Sequence, residues 1–235
     1  MSSQRHPLLL AAAFALGTLG WAPGVAQAQV PPARGEIGQY RGLFAAALAN
    51  SAIEIKAMVA RGETPGARDS YQRTPLHVAA YLAKHDAMRA LVAAGADANA
   101  LEHDRYDIVT IAAVANDVPT LKLALELGCK ATNITSRYDG TALIAAAHLG
   151  HAEVVQTLIR AGAPLDHVNN LHWTALIESI VLGNGGPQHT LTLKHLVEAG
   201  ANLQLADRSG ATALALAKSR AYREMISILE KAGAR

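Results

Sequence analysis

Ten histidines, one cysteine and a glycine-rich GNGG are the residues here whose types invite chemistry. Imidazoles hold zinc or move protons when they converge, and convergence on a helix leaves a spacing such as H-E-x-x-H. No such spacing occurs. His103, His167, His172 and His189 fall in separate loop-like segments, His148 and His151 flank Gly150, His77 stands within TPLH, and His6 belongs to an apolar leader. A phosphate cradle needs a glycine loop opening a helix with a lysine behind it. Gly183-Asn184-Gly185-Gly186 instead interrupts a helical pattern, lacks that lysine and reads as a surface insertion. No G-x-S-x-G elbow is present. Cys129 has only Lys130 beside it to lower its pKa and reads as a buried inert thiol in preference to a redox sensor. These residues assign no catalytic group, metal or cofactor.

The elements that would have to position any such group come as a repeated phrase. TPLHVAA from Thr74 returns as DIVTIAA from Asp107, TALIAAA from Thr141, TALIESI from Thr174 and TALALAK from Thr212. Its leucine-like third position falls at Leu43, Leu76, Val109, Leu143, Leu176 and Leu214, in steps of 33, 33, 34, 33 and 38. A glycine marks each unit again at Gly62, Gly95, Gly128, Gly162, Gly200 and Gly233. The two markers stand 19 residues apart in five units and 24 in the fifth, where the excess sits in Gly183 to Pro187. Self-similarity at such a period is the mark of stacked supersecondary units.

Within a unit the residues read as helix, turn, helix and extended loop. Thr74 suits an N-cap and Pro75 the first helical position, where its missing donor costs nothing. Val154, Val155, Leu158 and Ile159 form an apolar stripe at helical spacing. Gly162 then serves as a left-handed C-terminal cap. One such unit cannot bury its stripe; neighbours stacked on it can.

TPLHVAA, GHAEVVQTLIRAGAPL and GANLQLADRSGATALALA resemble the ankyrin repeat, from about Gln39 to the C-terminus. Only the second unit keeps Thr-Pro-Leu-His. The third has Asp107 and Ile108, the fourth to sixth lose both Pro and His, and Gly128 to Thr141 spans 13 residues where the other connections span 12. The resemblance implies an all-α, curved solenoid of about six helix-turn-helix units with hairpin-like finger loops. It implies too that His77 ties a helix start to neighbouring loops and that Cys129 occupies a packed, alanine-like slot. By the same resemblance the chain is a non-enzymatic protein-binding scaffold. A protective role is the alternative, either in peroxide tolerance beside a catalase or in neutralising a secreted toxin.

Arg5, the apolar run LLLAAAFALGTLGWA and the small residues at Ala26-Gln27-Ala28 predict a signal peptide over 1–28, cleaved after Ala28. Gly17, Gly20 and Pro23 leave that run short of the roughly 20 residues of a membrane span, so no stable membrane anchor is expected. Residues 29–38, with Pro31, Pro32 and two glycines, read as a flexible linker before a repeat domain at 39–235. The expected address is the periplasm and the expected state a monomer. Without Arg5, 20 Lys plus Arg face 19 Asp plus Glu, which is no footprint for nucleic acid. One cysteine allows no internal disulfide, so an apolar core must hold the fold.

Ankyrin partners meet the finger tips and inner helices. Carried over position by position, the contact set is Tyr71, Arg73, Tyr81, His103, Tyr106, Arg137, Tyr138, His148, Asn170, Trp173 and Arg208. Tyr, Trp and Arg dominate interface hot spots, and the gathering of this chain's few rings at finger and inner-helix positions points to another protein as the partner.

Overall fold

Each unit begins by satisfying the backbone donors of a first helical turn. Thr74, Asp107, Thr141, Thr174 and Thr212 stand in extended backbone at an N-cap, and each side chain accepts from the N–H three residues on. Asp107 replaces threonine without loss of the cap, its Oδ1 lying 2.7 Å from Thr110 N. The computed structural model describes residues 29–235; the leader read at 1–28 lies outside them.

A four-residue turn, α1 (Arg34–Ile37), precedes six helix pairs. These are α2 (Gly42–Leu48) with α3 (Ala52–Ala60), α4 (Pro75–Tyr81) with α5 (His85–Ala93), and α6 (Ile108–Val114) with α7 (Val118–Glu126). They continue with α8 (Ala142–Leu149) and α9 (Ala152–Arg160), α10 (Ala175–Val181) and α11 (Pro187–Glu198), and α12 (Ala213–Ser219) and α13 (Arg223–Lys231). First helices pack on first helices throughout, and second on second except that α5 and α7 scarcely meet: α8 lies between α6 and α10, and α9 between α7 and α11. The stack is the solenoid that the repeat predicts, all-α but for isolated bridges at Thr135–Gly140 and Ala206–Thr212 among the described residues.

Close approach of the first helices depends on one slot, filled by Ala46, Ala79, Ala112, Ala146, Ser179 and Ala217, none more than 1% exposed. Ser179 is admitted because its hydroxyl donates to the Leu176 carbonyl at 2.7 Å. At the far end of each pair the marker glycines hold φ between 79° and 97°, the left-handed conformation read for Gly162.

Between pairs, each finger closes on a backbone bond: Asp69 to Arg73, Glu102 to Tyr106, Thr135 to Gly140, Asn169 to Trp173 and Asp207 to Ala211. The turn from Thr135 to Gly140 is one residue longer than the rest, so the extra residue of the 13-residue connection lies at the finger tip.

Two expectations need correction. The five extra residues of the fifth unit are not all surface loop. The connection from α10 to α11 is two residues longer than its three-residue counterparts in the second, third and sixth units, and α11 runs to 12 residues where those units' second helices have nine. Residues 29–38, read as a flexible linker, contain α1 and lie against the stack: Arg73 donates to the Val30 carbonyl at 3.0 Å and to Glu36 Oε1 at 2.8 Å.

Candidate partner-binding face

Six of the eleven contact residues form a continuous row along the fingers. The Tyr71 carbonyl accepts from His103 N at 3.0 Å, and Arg105 and Ser136 repeat that bond one finger on. Arg137 pairs with Asp104 across the same gap. The Tyr138 carbonyl accepts from Asn170 N at 3.0 Å, and Asn170 Nδ2 reaches the Arg137 carbonyl at 3.1 Å. Arg208 completes the row by donating to the Asn170 carbonyl at 3.1 Å. Tyr71, His103, Arg137, Asn170 and Arg208 are exposed and Tyr138 is half-buried, so the row is cross-tied beneath and open above.

Behind that row the expected surface is partly absent. Arg73 is fully buried and Tyr106 is 5% exposed, so neither is a free contact residue as expected. Tyr106 sits in the apolar core because its finger folds inward: its N–H donates to Glu102 Oε1 at 3.0 Å and its carbonyl accepts from His77 Nε2 at 3.3 Å. Trp173 and Tyr81 are half-buried and packed against the same core. His148, half-buried at the end of α8, places Nδ1 3.2 Å from Glu178 Oε2.

A polar residue at the foot of each finger shapes this face and escaped the sequence reading. Asp69, Glu102, Asn169 and Asp207 each offer one side-chain oxygen to two backbone N–H groups of their own turn. The signal was present in four of the five fingers, an acid or amide four residues before the pre-cap position, with Ser136 in that place in the Thr135–Gly140 finger. Glu178 was missed as well: it is buried in α10, and Asn169 Nδ2 donates to its second oxygen at 2.9 Å.

His77 plays the tying role that the resemblance implies. Thr74 N lies 3.1 Å from Nδ1, while Nε2 is 3.0 Å from the Ala100 carbonyl. Burial pushes this imidazole down to about 4. Cys129 is buried against Asp107, and burial followed by that carboxylate pushes the thiol well above its ordinary range, the opposite of an activated nucleophile. Among the described residues no three His, Cys, Asp or Glu side chains gather as a metal set, and no helix is long and apolar enough to cross a membrane. What the arrangement offers is a fixed row of hydrogen-bonding and aromatic side chains.

A model of ankyrin repeats in three copies matches residues 109–186, and a single-repeat ankyrin model matches 71–103. YahD of Escherichia coli (strain K12), itself named as an ankyrin repeat protein, is 30% identical over 186 residues, covering 77% of this chain and 90% of YahD. The crystal structure of an ankyrin repeat domain from Acinetobacter baumannii AYE superimposes with a TM-score of 0.76 at 40% identity, over 82% of this chain and 98% of that one. The B-cell lymphoma 3 protein homolog of Mus musculus is 29% identical over 169 residues, which is 71% of this chain and 37% of that longer protein.

Proposed function

Because the chain belongs to the ankyrin-repeat family, whose folds generally serve as protein-binding scaffolds, we propose that it is an exported, non-enzymatic binder working in the periplasm. It grips another protein along the finger row and the first-helix ends behind it. The contact residues are Tyr71, His103, Arg137, Tyr138, Asn170 and Arg208, with the half-buried Tyr81, His148 and Trp173 lining the inner side. The cross-tied row carries this reading: the carbonyls of Tyr71, Arg137, Tyr138 and Asn170 are each anchored to the next finger, so the exposed side chains are already in place. Preorganisation of that kind lowers the entropy cost of association. The Ala26-Gln27-Ala28 cleavage pattern supports export.

Capture from periplasmic extract of the native host, with wild type and a Tyr71→Ala plus Tyr138→Ala variant as bait, tests the face. A species retained by wild type and lost from the variant is expected, with melting temperature unchanged. Equal retention by both baits overturns the site.

A further inference from the structure

Arg73 is a cation without exposed surface, and a buried cation persists only where its donors are matched. One match is local: Nε donates to Asp69 Oδ2 at 2.7 Å within the same finger. The outer two belong to a segment some forty residues earlier, the Val30 carbonyl on Nη1 and Glu36 Oε1 on Nη2. Pro32, between them, is buried, whereas Pro31, Ala33, Arg34 and Gly35 are exposed. Gln29 carries the path one unit further, its Nε2 donating to the Thr110 carbonyl in α6 at 3.2 Å. Residues 29–36 therefore lie as a strap from the base of α4 to α6, on the side where the fingers meet the first helices.

We propose that this strap is a tethered ligand on the Arg73 end of the binding face, displaced by a partner's extended segment that presents a carboxylate to Nη1 and Nη2 of Arg73. The proposal rests on the scaffold reading and adds the chemistry of the partner. A guanidinium fork with both outer nitrogens turned to an incoming chain is matched best by a carboxylate, which accepts from both at once. The strap supplies that match piecemeal, with one carbonyl and one carboxylate oxygen. Its hold is confined to a few contacts: α1 buries none of its residues, and Glu36 divides its carboxylate between Arg73 and its own helix cap at Ala33 N. The resting state also leaves polar atoms unmatched. The Tyr81 hydroxyl and Glu102 Oε2 are both buried without a hydrogen-bond partner among the described residues. A short tether keeps the strap at millimolar effective concentration, so any competitor meets an already occupied site.

The test uses a fluorescently labelled synthetic peptide with the sequence from Gln29 to Gly38, titrated against the full chain and followed by anisotropy. Against a Pro32→Gly plus Glu36→Gln variant, whose own strap is loosened, the peptide is expected to bind at least about tenfold tighter than against wild type, because the tethered copy no longer competes. The same peptide carrying Glu36→Gln is expected to lose that gain, a control that leaves the protein's fold untouched. Glu36→Gln alone serves in place of the double variant if circular dichroism shows the latter unfolded. Equal binding to wild type and loosened chain, or equal binding of the two peptides, overturns the tethered ligand. Neither outcome touches the capture experiment at Tyr71 and Tyr138, so failure of the strap and failure of the finger row are told apart.

Discussion

Protonating His77 would set a new N–H against existing donors. Thr74 N–H already donates to Nδ1, and Nε2 lies against the Ala100 and Tyr106 carbonyls, so the neutral ring with its proton on Nε2 satisfies every contact. Burial makes the charged ring costlier still, and the folded group titrates at about 4. An unfolded imidazole titrates near 6.5 and takes up its proton first as the pH falls. The stability from neutral His77 is therefore complete above pH ~6.5, declines from there to ~4 and is lost below, in total on the order of 3 kcal/mol. Denaturant melts of wild type and His77→Gln at pH 7 and pH 4 should show wild type losing more by about that amount; equal losses would mean that His77 is not held neutral. Backbone strain supplies a second residue-scale prediction. Ala83 stands at φ 51°, where Gly150 occupies the corresponding turn of the fourth unit at φ 70°. Ala83→Gly should raise stability by about 0.5–1 kcal/mol in chemical denaturation, since an alanine in the left-handed region is strained.

Among the elements, α11 departs most from its counterparts, and its start is built on glycines that nothing larger can replace. A Cβ on Gly183 would land on the Ser179 carbonyl oxygen, and one on Gly185, at φ 68°, would come within 2.5 Å of the Tyr222 ring. Tyr222 donates its hydroxyl to the Gly183 carbonyl at 3.0 Å, and His189 Nε2 in the first turn of α11 reaches the His148 carbonyl at 2.9 Å, so the loop and the helix start together tie the fifth unit to both neighbours. Gly183→Ala should cost about 2 kcal/mol or more by forcing that loop to move. Gly35→Ala, with open space around it, should stay within about 0.5 kcal/mol. If the two variants melt alike, the loop is slack. Caps and terminating glycines were legible in the sequence because each is decided within a few residues: Thr74 needs only the N–H of His77. The division of the fifth unit's extra residues was half legible. Glycines argued for loop, whereas Pro187 at a first helical position, with Thr190, Leu193 and Leu196 following at turn spacing, carried the helical part. Arg73 was not legible at all. Its burial depends on Val30 and Glu36, and proline and glycine in that stretch read as a linker. Tyr106 went astray because the position before an N-cap says nothing about which way its finger leans.

For the molecule as a whole, stability is a chain of neighbour terms, so the place of a substitution in the stack matters as much as its chemistry. Leu143, fully buried in α8, is flanked by α6 and α10. Leu214, 6% exposed in α12, has α10 on one side and no repeat beyond it among the described residues. Leu143→Ala should cost about 3 kcal/mol, because its cavity opens where the stack cannot collapse around it. Leu214→Ala should cost less and act locally. The two ends are also unequal. By burial alone they are not: α3 buries only Ile55, and α13 only Met225 and Leu229, so what sets the first unit apart is the strap laid over it and the Glu63 Oε2 that caps its Leu43 N–H at 3.1 Å. Opening should therefore start at α12 and α13, with residue-resolved hydrogen exchange showing those amides least protected and α6 to α9 most. Leu214→Ala should accelerate exchange in that last pair alone, and Leu143→Ala throughout. Faster exchange in α2 and α3 than in α12 and α13 would show that the strap lends the first unit no protection, and the order of unfolding would then run from the other end.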